Sequence, residues 1–208
     1  MGVWGWVLGG ALAVTVAGLG RHLLVLLARP YRPERAAALA SPAQGVLYAF
    51  TWGMMPWAKE STRRHLLAYL RGIAFHAGIG AAFLALALSP WQAVVAPGIR
   101  WGIVALAGAG ALAGLGGLVA RVVEVRLRRL STPDDFFSVG LVSAFAAAGA
   151  AAWMAPVALP IFYLLTAATL VSIPFSKIRH CFYYFFSRYF FGVGFGRRGV
   201  IGWGKVHE

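Results

Sequence analysis

Apolar runs at about residues 3–27, 66–88, 101–123, 136–154 and 157–180 leave this chain few choices of fold. Roughly 20 consecutive apolar residues cross the hydrocarbon core of a bilayer as a helix, and each run reaches or approaches that length. Backbone polar groups in lipid must be satisfied within a helix or a closed barrel. These Ala, Leu, Gly and Val runs lack the alternation of barrel strands, so the sequence predicts an all-α integral membrane protein, a bundle of five transmembrane helices. The first run exceeds a signal-peptide core and has no basic residues ahead of it, so it is expected to remain as a span.

Composition narrows the function. Of 208 residues, 60% are hydrophobic and only 12% charged, against about a quarter charged in an ordinary soluble domain. A soluble enzyme and a disordered chain are both set aside. The net charge of +13 is concentrated in particular loops, which argues for topology and against nucleic acid. Arg29, Arg32, Arg35, Lys59, Arg63 and Arg64 follow the first span, Arg121, Arg126, Arg128 and Arg129 the third. Lys177, Arg179, Arg188, Arg197, Arg198 and Lys205 follow the fifth, while Arg100 is the basic residue of the opposite side. The positive-inside rule then places the N-terminus outside and the C-terminal tail in the cytoplasm, in the cell's inner membrane.

Residues 1–186 read as the five-helix domain and 187–208 as a basic, aromatic tail, with no internal repeat, linker or second domain. The tail suits a docking surface or, in the plainer reading, an interfacial aromatic belt with a frayed end. Val46 to Trp57 is apolar but too short to span, and Gly53 and Pro56 interrupt it. It predicts a short interfacial helix anchored by Trp52 and Trp57, or a lining for a lipid-soluble substrate. In the third span Gly110 and Gly114, or Ala113 and Gly117, allow close helix contact.

Ionisable groups inside lipid are costly and mark function. No acidic pair lies within a span, and no nucleophile has a placed base. Ser131 to Asp135 (STPDD) reads as a helix cap with Pro133 in the first turn. Histidine is the informative type. His76 lies well inside the second span, with Gly72 and Gly80 four residues away on either side, leaving a flat recess around the imidazole. His180 falls near the inner end of the fifth span, above Ser176, Ile173 and Thr169 on one face. Two neutral imidazoles from two helices suit a low-spin b-type haem, with Arg71, Lys177 and Arg179 as partners for its carboxylates. The alternative is that the histidines are satisfied inside the bundle and the cations reach to headgroups. His22 and His65 read as interfacial, with His65 the substitute ligand, and His207 lies in the tail. A lone Cys181 offers no disulfide or attachment motif.

Three short motifs carry a family likeness: FHAGI (Phe75 to Ile79), STPDD (Ser131 to Asp135) and IPFSKIRH (Ile173 to His180). In these and in its five-span layout the chain resembles the cytochrome b (gamma) subunit of respiratory nitrate reductase and its relatives in heterodisulfide-reductase-like and sulfite-reductase-associated membrane complexes. The resemblance implies a quinone-linked haem b subunit whose axial ligands are His76 and His180. It implies an electron carrier between the quinone pool and a cytoplasmic partner, iron–sulfur or molybdenum-containing, alone or with a catalytic subunit. One departure is informative: Leu86 and Phe162 stand where the nitrate reductase subunit has the ligands of a second haem. Neither ligates iron, so one haem b per chain is expected, with quinone reacting nearer the cytoplasmic face. The rivals are a haem-free anchor subunit and a small transporter, the latter disfavoured because no span carries paired ionisable groups.

Overall fold

The computed structural model describes residues 2–30 and 36–201, so Arg32, Arg35, Lys205 and His207 lie outside the described residues. Those described form helices and no strand. The α-helices are α1 (Val3–Leu27), α2 (Pro42–Phe50), α3 (Glu60–Arg64), α4 (Leu66–Leu88), α5 (Pro97–Val123), α6 (Val125–Leu130), α7 (Pro133–Met154), α8 (Leu159–Ser172) and α9 (His180–Arg197). Four of them, α1, α4, α5 and α7, are each long and apolar enough to cross a bilayer. A fifth crossing requires Pro156–Ser172 and Lys177–Arg197 to count as one broken span.

That break corrects the expected helix over 157–180. Pro174 has no N–H to give and its ring would strike the carbonyl four residues back, so α8 stops at Ser172. Thr169, Ile173, Ser176 and His180 therefore do not share the face of one continuous helix. Pro174 has no N–H to offer the carbonyl of Leu170, which accepts instead from Ile173 N at 3.2 Å and from Thr15 Oγ1 of α1 at 2.7 Å. The same substitution of a side chain for a missing backbone donor recurs at two other prolines. Pro90 frees the carbonyl of Leu86, which accepts from Ser89 Oγ at 2.8 Å. Pro156 frees that of Ala152, which accepts from Gln92 Nε2 at 2.8 Å. Each bond supplies a helix-end carbonyl with a donor that the proline lacks. Arg100 does similar work, its Nε donating to the Trp153 carbonyl at 2.8 Å.

The chain divides into two compact units, each discontinuous in sequence: Met1–Gly20 with Leu70–Ile178, and Arg21–Tyr69 with Arg179–Glu208. No linker separates them, which is why the sequence predicts no second domain. In the first unit the core is aromatic and alanine-rich. Phe145 lies 4.9 Å from Phe83 and 5.7 Å from Phe162, ring centre to ring centre, and Trp153 donates its Nε1 proton to the Ala85 carbonyl at 3.1 Å. In the second unit α2 lies against α9 so closely that a Cβ on Gly45 would stand 2.5 Å from Gly196 Cα and would also strike the Gly192 carbonyl oxygen. Leu39 and Ala40 donate to the Arg197 carbonyl at 2.7 and 3.2 Å. The helix thus runs to Arg197, past the expected start of a tail at 187. The Val46 to Trp57 stretch is helical to Phe50 and continues as single 3-10 turns at Trp52–Met54 and Pro56–Ala58; the breaks fall at Thr51 and at Met55 before Pro56, while Gly53 lies within a turn.

Candidate functional site

Helix α4 presents two faces. On one, Gly78 meets Gly110, Phe75 meets Gly114, and Arg71 lies over Gly116 and Gly117, so α4 and α5 run antiparallel with their glycines in register. A Cβ on Gly78 would lie 2.8 Å from the Leu106 carbonyl oxygen, nearer than any real side chain tolerates. About a third of a turn away, Gly72, His76 and Gly80 form the second face. A Cβ on Gly72 or Gly80 would meet nothing within 4 Å. His76 is the eleventh residue of this apolar helix and is exposed on that open face.

The imidazole is held in a definite way. His76 Nδ1 lies 2.8 Å from the Gly72 carbonyl oxygen. A carbonyl only accepts, so the bond places the proton on Nδ1 and leaves the lone pair on Nε2. This is the arrangement in which a histidine presents its outer nitrogen to a metal while a second bond fixes the ring. Phe75 packs edge-on at 6.0 Å and adds to that fixation. The donor chemistry and the glycine recess both suit one axial position of a haem.

His180 is the first residue of α9 and is exposed. It belongs to the second unit and His76 to the first. Arg179 is exposed beside it. The other two predicted cations are placed elsewhere. Lys177 Nζ forms a salt bridge with Asp135 Oδ2 at 2.6 Å, and its backbone N–H donates to Asp134 Oδ2 at 2.8 Å. Asp135 Oδ2 also accepts from Thr132 N at 2.7 Å and Thr132 Oγ1 at 2.9 Å, completing the predicted cap of α7. The STPDD and FSK motifs are thus clasped to each other, a link with no local signal in the sequence. Arg71 points toward α5 and away from the His76 face.

Phe162 sits in the core and Leu86 at its edge, partly buried. Phe162 is 0% exposed and stacked on Phe145, and Leu86 packs against the same cluster. Thr169 is 2% exposed, and its hydroxyl has no hydrogen-bond partner among the described residues. Of the remaining histidines, His22 Nδ1 pairs with the Tyr183 hydroxyl at 3.1 Å, and His65 is the exposed residue that ends α3. Cys181 is a free, exposed thiol. No group of three or more His, Cys, Asp or Glu suited to a metal ion occurs among the described residues, and an axial pair of imidazoles requires none. Comparison with protein-family models, with curated proteins and with solved structures finds no match for this chain.

Proposed function

We propose that the chain is the membrane-anchor cytochrome b subunit of a respiratory redox complex, with its N-terminus outside and its C-terminus in the cytoplasm. It carries electrons between the quinone pool and a cytoplasmic iron–sulfur partner, through one haem b ligated by His76 and His180. The observation that carries this reading is His76: an imidazole deep in an apolar helix, on an open face between two glycines, its Nδ1 proton fixed on Gly72. A ring turned outward in this tautomer is prepared for ligation. The haem would supply one-electron exchange at a potential set by its two imidazoles and the dryness of its surroundings. The chain's own contribution is to fix the rings, exclude water and leave space for the macrocycle. The filled core around Leu86 and Phe162 supports one haem rather than two.

A second reading, a haem-free anchor, is favoured by the placement of Lys177 on Asp135 and of Arg71 against α5, since neither faces the His76 recess. A reduced-minus-oxidised spectrum of the purified chain separates the two. The haem reading expects a b-type alpha band, one haem per chain by pyridine haemochrome, loss in His76→Ala and His180→Ala, and retention in His22→Ala and His65→Ala. Absence of the band in the unmodified protein supports the anchor and sinks the haem.

A further inference from the structure

Two guanidinium groups converge where the beginning of α4 meets the end of α5. A Cβ built on Gly117 would lie 3.7 Å from Arg121 Nη1 and 3.9 Å from Arg71 Nε, so both cations border the same small space. Arg121 Nη1 donates to the Gly117 carbonyl at 3.3 Å, which turns the side chain back along its own helix. The Arg71 stem passes over Gly116, whose built Cβ would stand in ordinary contact with its Cδ at 3.9 Å, so the side chain lies along the α5 surface. Both arginines are half-buried. Among the described residues neither forms a salt bridge: the ion pairs found are Arg64 with Glu60 and Lys177 with Asp135.

Like charges brought together at a partly desolvated site repel, and the repulsion is relieved by an anion held between them. Guanidinium forks match the paired oxygens of a phosphate or carboxylate. We infer that Arg71 and Arg121 form a two-pronged oxyanion site at this end of the bundle, and that its occupant is the phosphate of an anionic phospholipid of the cytoplasmic leaflet. A haem carboxylate offers the same chemistry, but Arg71 faces α5 and the His76 recess opens a third of a turn away, so the lipid is the source that the geometry favours. The inference rests on the proposed orientation for its leaflet and is otherwise separate from the haem, because it concerns the other face of α4.

Native mass spectrometry of the full chain, released from micelles containing phosphatidylglycerol or phosphatidylcholine of matched chain length, tests it. The expected result is preferential retention of phosphatidylglycerol, lowered about fivefold by each of Arg71→Gln and Arg121→Gln, as for loss of one cation near an anionic surface. Arg63→Gln should leave retention unchanged. Equal retention of the two lipids, or undiminished phosphatidylglycerol in the double variant, overturns the site. If the double variant does not fold, the unmodified chain decides: its melting temperature should rise with phosphatidylglycerol and not with phosphatidylcholine. Retention in His76→Ala keeps this result separate from that of haem binding. Haem content that falls in Arg71→Gln while lipid retention holds would assign the arginines to a haem carboxylate and overturn the lipid.

Discussion

Helix α4 places the same residue type in two opposite circumstances. Gly78 is a contact glycine, closed against Gly110 and the Leu106 carbonyl, whereas Gly72 and Gly80 border open space on either side of His76. A glycine in a helix interior lowers intrinsic stability. On the α5 side that cost is offset by close backbone packing, and among the described residues nothing lies within 4 Å of a Cβ at Gly72 or Gly80 to offset it. The contrast separates glycines packed into the fold from glycines that border open space. It also explains why a four-residue spacing of small residues is not by itself diagnostic.

The largest expected effect comes from closing the packed face. Gly78→Val would force α4 and α5 apart against backbone that cannot yield, with a loss of about 3 kcal/mol. Thermal unfolding in detergent should show a collapse of the melting temperature; an unshifted melt would mean that the Gly78–Gly110 contact is absent in the folded protein. The second unit supplies a parallel case in Gly45→Ala, whose methyl meets Gly196 and Gly192 of α9. About 2 kcal/mol is expected there, and protection of α9 amides from hydrogen exchange should fall with it.

A smaller loss tests the clasp between motifs. Asp135→Ala removes the acceptor for Thr132 and the partner of Lys177 together, at about 1.5 kcal/mol. Lys177→Met should cost clearly less, because the cap of α7 survives it. Equal losses from the two variants would show that the cap contributes nothing beyond the ion pair.

Much of this was legible and some was not, for identifiable reasons. The bounds of α1 and α4 follow from hydropathy, because apolar runs are local properties, and the cap at Thr132 and Asp135 follows from a local pattern. Pro174 was equally visible, yet a proline signals a missing donor without saying whether the helix resumes. The side chain that bonds the Leu170 carbonyl at this break, Thr15, is 155 residues away in the chain. Gly110 and Gly114 were readable as contact residues, but their partners Gly78, Phe75 and Ser143 lie on other helices. The aromatic, arginine-rich composition of the C-terminal region pointed to a docking surface and hid the spacing of Gly192 and Gly196, the same four-residue signal recognised in α5. His76 was found from its position in an apolar run; the Gly72 bond that selects its tautomer needed coordinates.

The smallest effect on stability is the most informative for the open face. Gly80→Ala adds a methyl where nothing lies within 4 Å, and alanine favours the helix by about 0.5–1 kcal/mol. The melting temperature should therefore hold or rise slightly, in contrast to the Gly78 variant on the same helix. Gly80→Leu should fold as well, since Gly80 is exposed and its Cβ starts in open space. If that face receives a macrocycle, however, leucine occupies the recess beside the imidazole, and the b-type band should weaken sharply while His76 is untouched. A leucine variant that melts normally and retains full haem would show that the recess is not where the macrocycle lies. One that unfolds would show that the face is covered by protein, and the contrast between the two kinds of glycine would fail with it.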